Sequence, residues 1–216
     1  MFDQLKRDIQ AVIDRDPAVK SKLEVLTCYP GFKALRSYRR AHRLYLKKHY
    51  LLARLINARS RKRTGIDIHP GATIGEGLFI DHGSGTVIGE TAVLGNNVTL
   101  YQGVTLGGTG KDTGKRHPTL GNNVTVGAGA KVLGPITIGD HVKIGAGSIV
   151  LKPVPDHCTV VGNPGRIVRQ KDNSNKVDLN HGDLPDPVKE RFDQMLRRIE
   201  QLEEKLGEPH KPESGL

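Results

Sequence analysis

Residues 120–150 read LGNNVTVGAGAKVLGPITIGDHVKIGAGSIV, with an aliphatic residue at every sixth position: Leu120, Val126, Val132, Ile138, Ile144 and Val150. Gly121, Gly127, Gly139 and Gly145 follow four of them, and small or branched residues stand four places on, at Val124, Ala130, Val142 and Ser148. An amphipathic helix would need spacings of three and four, and a two-sided strand a period of two, so a sustained six-residue phase fits neither. It fits a prism-shaped coil: short flat strands form three sides, one inward aliphatic per side fills a narrow interior, and a small residue eases each corner. The phase extends upstream through Ile68, Ile74 and Ile80, slips by two residues, and resumes at Ile88, Leu94, Leu100 and Leu106. The spacing predicts a parallel β-helix of roughly five coils over residues 66–155.

The phase breaks between Leu106 and Leu120, where GGTGKDTGKRHPT is Gly-rich, polar and basic, as expected of a loop (107–118) ejected from the coil. It has neither GxGxxG spacing nor GK[ST], and no strand–helix crossover follows, so a phosphate-binding loop is excluded. The predicted organisation is an α-helical region at 1–65, the β-helix at 66–169, a polar linker at 170–186, an amphipathic helix at 187–207 and a tail at 208–216. The late helix rests on Val188, Phe192, Met195, Ile199, Leu202 and Leu206, which follow alternating intervals of four and three, a heptad stripe. It either packs on its own subunit or zips copies together.

Composition agrees with a core of small aliphatics. Among 216 residues there are 26 Gly, no Trp and only 4% aromatics. No apolar run is long enough to span a bilayer, and the start, MFDQLKRDIQ, lacks a secretory signal, so a cytoplasmic protein with no membrane partner is expected. Cys28 and Cys158 have neither CxxC nor Cys/His ligand spacing, and no metal site is expected. The net charge is +10. Between Glu24 and Asp67 there is no carboxylate, while Lys33, Arg36, Arg39, Arg40, Arg43 and seven further cations alternate with leucines and tyrosines as basic amphipathic helix. Without a nucleic-acid-binding signature, this reads as a solvated face or a surface for an anionic cofactor or neighbour, not as a nucleic-acid site.

Ionisable residues in the coil supply the candidate chemistry. His82 and Asp81 stand where the phase slips, and distortion of a regular coil marks a site. Asp67, about one coil earlier, is expected to stack near His82 and orient its imidazole. His69, beside Pro70, is expected to shape a turn. Arg116 and His117 in the ejected loop form a cationic pair that, with Asp67, Asp81 and His82, suits a small zwitterion: Arg on its carboxylate, Asp on its ammonium.

The runs DIHPGATIGEGLFIDHGSGTVIGETAVLGNNVTLYQGVTLGGTG, RHPTLGNNVTVGAGAKVLGPITIGD and KIGAGSIVLKPVPDHCTVVGNPGRIV, over about residues 64–169, resemble serine acetyltransferase, as do the upstream DPA and GFKALRSYRRAH. The resemblance implies a mainly β protein with α elements: a left-handed parallel β-helix of hexapeptide repeats behind a small α-helical domain, with a C-terminal helix. It implies transfer of acetyl from the co-substrate acetyl-CoA to L-serine, giving O-acetyl-L-serine and CoA in cysteine biosynthesis. His82 matches the catalytic base and Asp67 its acidic partner. Asp81, Arg116, His117 and Asp16 match residues that hold serine or the inhibitor cysteine. Gly108, Thr109, Ala128, Lys143 and Ala146 match positions along the pantetheine arm and CoA phosphates. The implied assembly is a homotrimer or dimer of trimers, and the family's tail binds O-acetylserine sulfhydrylase. The competing readings are an acetyltransferase acting on homoserine or a sugar, a β-helical zinc carbonic anhydrase using His69, His82 and His117, and a regulatory subunit without catalysis.

Overall fold

The computed structural model describes residues 2–111, 113–170 and 187–206. Two compact units divide the chain, Met1–Leu184 and Pro185–Leu216. In the first, four helices precede the strands: α1 (Phe2–Arg15), α2 (Lys22–Cys28), α3 (Pro30–Leu46) and α4 (Tyr50–Thr64). The strands then wind through three parallel sheets. Side one stacks β1 (Asp67–Ile68), β4 (Val87–Ile88), β7 (Thr105–Gly107), β10 (Lys131–Leu133) and β13 (Ile149–Val150). Side two holds β2 (Thr73–Ile74), β5 (Val93–Leu94), β8 (Thr119–Leu120) and β11 (Thr137–Ile138). Side three holds β3 (Phe79–Ile80), β6 (Thr99–Leu100), β9 (Thr125–Val126), β12 (Lys143–Ile144) and β14 (Cys158–Val161), closed by the antiparallel β15 (Arg166–Gln170). This is the predicted parallel β-helix, with the ejected loop between β7 and β8.

The six-residue phase becomes three internal ladders. Ile68, Ile88, Leu106, Val132 and Val150 are in register on side one. Ile74, Leu94, Leu120 and Ile138 stack on side two, and Ile80, Leu100, Val126, Ile144 and Val160 on side three. All are buried. Two of the three corners use left-handed backbone, and glycine, asparagine and histidine supply it. Between sides three and one, Gly85, Gly103, Gly129 and Gly147 have φ of 74, 70, 69 and 69°. Between sides two and three, Asn97, Asn123, His141 and His157 do the same at 56–58°.

The helical region closes the open rim of the first coil. Coil one gives its strand N–H groups to coil two, as in Asp67 N to Thr86 O, Thr73 N to Ala92 O and Phe79 N to Val98 O, each 2.9 Å. Carbonyls on its other edge have no preceding coil, and side chains of the helices donate to them. Tyr38 OH reaches Ala72 O at 2.6 Å, Arg39 reaches Ile74 O and Gly75 O, and Asn57 Nδ2 reaches Ile68 O at 3.0 Å. His42 Nδ1 lies 2.7 Å from Pro70 O, so that nitrogen carries the proton. Burial pushes the Tyr38 phenol up to about 12, which keeps it a donor. Part of the unexplained basic charge is therefore a set of donors for an unpaired sheet edge. Phe79, the outward residue of β3, docks into a second core of Val12, Val25 and Phe32, and Gly31 meets the Ile80 carbonyl so closely that a Cβ has no room.

The second unit contains α5 (Pro187–Leu206), the predicted heptad helix. Most of the linker, residues 171–186, and the tail, 208–216, lie outside the described residues. Among the described residues no helix is long and apolar enough to cross a membrane.

Arg39 also lies 3.6 Å from Asp8, which is 4% exposed and whose carboxyl burial raises against the pull of Arg39. Replacing Arg39 by Met leaves two rim carbonyls without their donor and the buried Asp8 carboxyl without its cation, with only the Gly77 N–H (3.3 Å) still donating to it. Arg39→Met is expected to cost on the order of 3 kcal/mol in urea unfolding at fixed protein concentration, against about 0–0.5 kcal/mol for the exposed Arg40→Met.

Candidate active site

The two-residue slip is an enlarged corner between β3 and β4. His82 sits in it with φ 55°, an uncommon value for a side-chain-bearing residue, beside Gly83 and Gly85, both at φ 74°. The turn thrusts the imidazole outward. Its side chain is 78% exposed, with Nε2 3.9 Å from Oδ1 of Asp81. Behind Asp81, Tyr29 donates its hydroxyl to Asp16 Oδ2 at 2.6 Å, while Asp16 Oδ1 accepts from Ala18 N at 2.8 Å. Burial first, then the hydrogen bond and charge of Asp16, then Glu24 and Asp81, push the Tyr29 phenol far above its ordinary value. Asp16, Asp81 and His82 thus gather at one corner around a permanently protonated phenol.

Stacking sets Asp67 level with Val87 on the flat side, which the enlarged corner holding His82 leads into. Its carboxylate accepts from Asn57 Nδ2 at 3.1 Å and lies 3.3 Å from Arg61 Nη1. Among the described residues of one chain, the carboxylate recorded near His82 is that of Asp81.

Arg116 and His117 occupy the other edge of side one, in the corner between sides one and two. Glu90, just past β4, pairs with Arg116 and accepts from Tyr45 OH at 3.0 Å. Thr91 organises the loop end: its hydroxyl oxygen accepts from Arg116 N (3.0 Å) and His117 N (3.1 Å), and its own N–H donates to His117 Nδ1 (3.2 Å). With Nδ1 accepting, the neutral ring carries its proton on Nε2. His117 is 8% exposed and presses on Gly89, where a Cβ would collide with the ring. Burial holds its pKa below the ordinary 6.5, Arg116 and Lys115 push the same way, and Glu90 opposes them. The Arg116 hydrogen bond holds Glu90 below the usual carboxylate range. His69, as expected, shapes its turn by accepting from Gly71 N at 3.0 Å. It and His117 share this corner while His82 belongs to the other. No group of three metal-ligating side chains occurs among the described residues.

The expected cofactor positions divide in the same way. Gly108 and Thr109 belong to the ejected loop, and Gly108 gives space to Arg116 and His117. Ala128 and Ala146 lie in successive corners below His82, joined by Gly147 N donating to Ala128 O at 2.8 Å, and Lys143 stands on side three in β12. The corner glycines make this column smooth: a Cβ at Gly103 would sit 3.3 Å from Gly129 Cα, and at Gly129 or Gly147 would meet nothing within 4 Å. This glycine-rich column, with only the short Ala128 and Ala146 in its lower corners, leaves room for a thin, extended arm. The two half-sites are separated by the width of one side, about 15–20 Å at extended-strand rise.

Glu90, Thr91, Tyr45, Tyr29 and Asn57 escaped the sequence reading. Only Glu90 and Thr91 had a signal, as polar residues in the corner that stacks under the loop; the other three reach the site from the helical region, Tyr29 from the junction of α2 and α3, which sequence spacing does not place.

Two measurements check the loop cluster. His117 is expected to titrate below 6.5 by NMR, and lower still in Glu90→Gln, which removes the charge that opposes the shift; a value at or above 6.5 contradicts the geometry. Because folding lowers this pKa, its stability contribution is full above pH 6.5 and is lost as pH falls through the folded value.

Comparison with known proteins agrees with this architecture. Residues 117–152 match the family model for bacterial transferase hexapeptide (six repeats), and residues 1–37 that for the serine acetyltransferase N-terminal region. The chain is 57% identical over 205 residues to serine acetyltransferase of Bacillus subtilis, covering 95% of this chain and 94% of that one. It superposes on a serine acetyltransferase in complex with cysteine at a TM-score of 0.81 and 45% identity, covering 84% of this chain and 71% of the other. The Neisseria gonorrhoeae serine acetyltransferase in complex with serine gives 0.75 and 45%, covering 78% and 69%. The Brucella abortus enzyme in complex with coenzyme A gives 0.77 and 46%, covering 80% and 69%. With this identity over nearly its whole length, and with the left-handed parallel β-helix those structures share, the chain belongs to the serine acetyltransferase family.

Proposed function

We propose that the chain transfers the acetyl group of acetyl-CoA to the hydroxyl of L-serine, giving O-acetyl-L-serine and CoA, by direct attack without an acyl-enzyme. Membership of the family makes it an acetyl-CoA-dependent acyltransferase. The observation that carries the mechanism is His82, an exposed imidazole set on a left-handed corner in line with a column of corner glycines, with Asp81 3.9 Å from its Nε2.

A serine hydroxyl is a poor nucleophile at neutral pH, so His82 accepts its proton as the oxygen attacks the thioester carbonyl. The C–S bond then breaks, and His82 returns the proton to the departing thiolate. Asp81 stabilises the imidazolium in between. Asp67, on the adjoining side, adds negative charge, and direct pairing with it requires rotation of the exposed His82 ring. The substrate ammonium goes to Asp81 and Asp16, and its carboxylate to Arg116, held by Glu90, and to His117 through its Nε2–H. The pantetheine arm runs along the corner at Ala128 and Ala146, with Lys143 near the CoA phosphates and Gly108 and Thr109 across from it.

These groups lie on both edges of side one, too far apart for one serine. Three copies with side one facing a threefold axis bring the His82 edge of each against the Arg116 edge of the next, so the reading requires a trimer with sites between copies. L-cysteine, a thiol in place of the hydroxyl on the same zwitterion, competes for the same contacts and inhibits. The enzyme works in the cytoplasm. The association with O-acetylserine sulfhydrylase belongs to a tail outside the described residues.

Release of CoA, followed with a thiol reagent, is expected to depend on L-serine and to fall on addition of L-cysteine; release with homoserine or a sugar but not with serine refutes the acceptor. His82→Ala is expected to lose about 10²- to 10⁴-fold in kcat while staying folded. Arg116→Gln is expected to raise the serine KM by about 10- to 100-fold. Co-refolding the two variants is expected to restore about a quarter of wild-type activity per subunit at low serine, the share of intact sites in randomly mixed trimers. No recovery would place both halves of the site in one chain.

A further inference from the structure

The second unit carries a surface that catalysis leaves unused. Along α5, Phe192, Met195, Ile199 and Leu202 form one line at alternating intervals of three and four, and they are 61%, 60%, 48% and 43% exposed. In sequence the same register includes Val188 before them and Leu206 after them. Taking Phe192, Ile199 and Leu206 as position a makes Val188, Met195 and Leu202 position d. The b, c and f positions, such as Asp193, Gln194, Arg197, Glu200 and Gln201, are then all polar. A ridge of large apolar side chains in water beside a wholly polar back is half of a helix–helix interface.

The flanking charges say what the other half is. The g positions, Arg191, Arg198 and Lys205, are all basic, whereas the e positions are Lys189, Leu196 and Glu203. Parallel copies set each g against e of the following heptad in the neighbour, so Arg198 meets Glu203 of a second copy and the stem of Arg191 covers Leu196. Antiparallel copies would set g against g, cation against cation at all three positions, and e against e, where Lys189 meets Glu203 and offsets part of that repulsion. Parallel pairing gains the Arg198–Glu203 attraction with no facing cations, so the helix is more complementary to itself in parallel than in antiparallel.

We infer that α5 is a homotypic docking surface whose occupant is α5 of other copies of this chain, joined as a parallel coiled coil. The number of strands, three, rests on the trimer proposed above; the pairing of the helices does not. Twenty residues are marginal for a free coiled coil. Tethering to an assembled β-helix raises the effective concentration of each helix for its neighbours, and the helices in turn hold together copies that share active sites.

The test uses the full-length chain in a Cys28→Ser background, since Cys28 is exposed and Cys158 is buried. Under mild oxidation, Leu202→Cys, at a d position, is expected to form an interchain disulfide with itself, and Arg197→Cys, on the polar back, is not. Equal cross-linking of the two, or none with Leu202→Cys, overturns the inference. So does cross-linking of Leu202→Cys to Phe192→Cys in place of itself, which marks antiparallel pairing. Ile199→Asp, in the otherwise unchanged chain, is expected to keep its activity at micromolar protein and lose it on dilution at concentrations where the parent retains it; parallel dilution curves overturn the inference as well. Serine-dependent CoA release from the same samples separates the two readings. Cross-linking without acetylation counts against the catalytic proposal alone, and acetylation without cross-linking against this one alone.

Discussion

A stack of parallel coils must end somewhere, and its first rim exposes carbonyls that no preceding coil can satisfy. In this chain Tyr38, Arg39, His42 and Asn57 meet that demand from two basic helices. Because carbonyls only accept, the side chains that cover them must be donors, and long cationic or phenolic ones reach furthest. The same docking carries Tyr29 and Asp16 to one corner of the coil and Tyr45 to the other. Closing the rim and furnishing the candidate site are consequences of one contact.

The corner at His82 shows how a regular solenoid makes room for chemistry. Elsewhere a left-handed position is filled by glycine, asparagine or a corner histidine, and the backbone continues to the next side. Two additional residues at 82–85 break that economy, swing the imidazole off the stacked surface and leave it solvent-facing above a column of glycines. Asp67 stays on the flat side, where stacking pairs it with Val87. The ejected loop acts at the opposite edge, tied down by Thr91 and Glu90, so that His117 is buried and neutral while Arg116 is held by a carboxylate. One side of the prism separates these halves in a single chain, and the trimer proposed above would bring them together from neighbouring copies.

Much of this was legible in the residues. The aliphatics at Leu120, Val126, Val132, Ile138, Ile144 and Val150 announced the ladders because an interior one side chain wide admits a single spacing. The phase slip marked His82, and the phase break marked the loop. The positive charge of residues 33–63 stayed ambiguous, since a donor for an unpaired carbonyl and a solvated cation look alike in a sequence. How Asp67 stands to His82 was less legible: counting one coil back gives the right layer, but the enlarged corner shifts the register so that Asp67 stacks on Val87.

By itself the sequence determined the coil, its length, its ejected loop and the residue types at each corner, because short-period packing leaves a local imprint every six residues. Only the tertiary structure decided which of those residues meet. Tyr45 with Glu90 and Asn57 with Asp67 are contacts between helices and coil, and Tyr29 with Asp16 one within the helical region; none obeys a period, and they depend on where the open rim needed donors. The division of the site between two edges is equally invisible in one dimension, since residues 82 and 116 sit on the same chain but on opposite sides of a flat face.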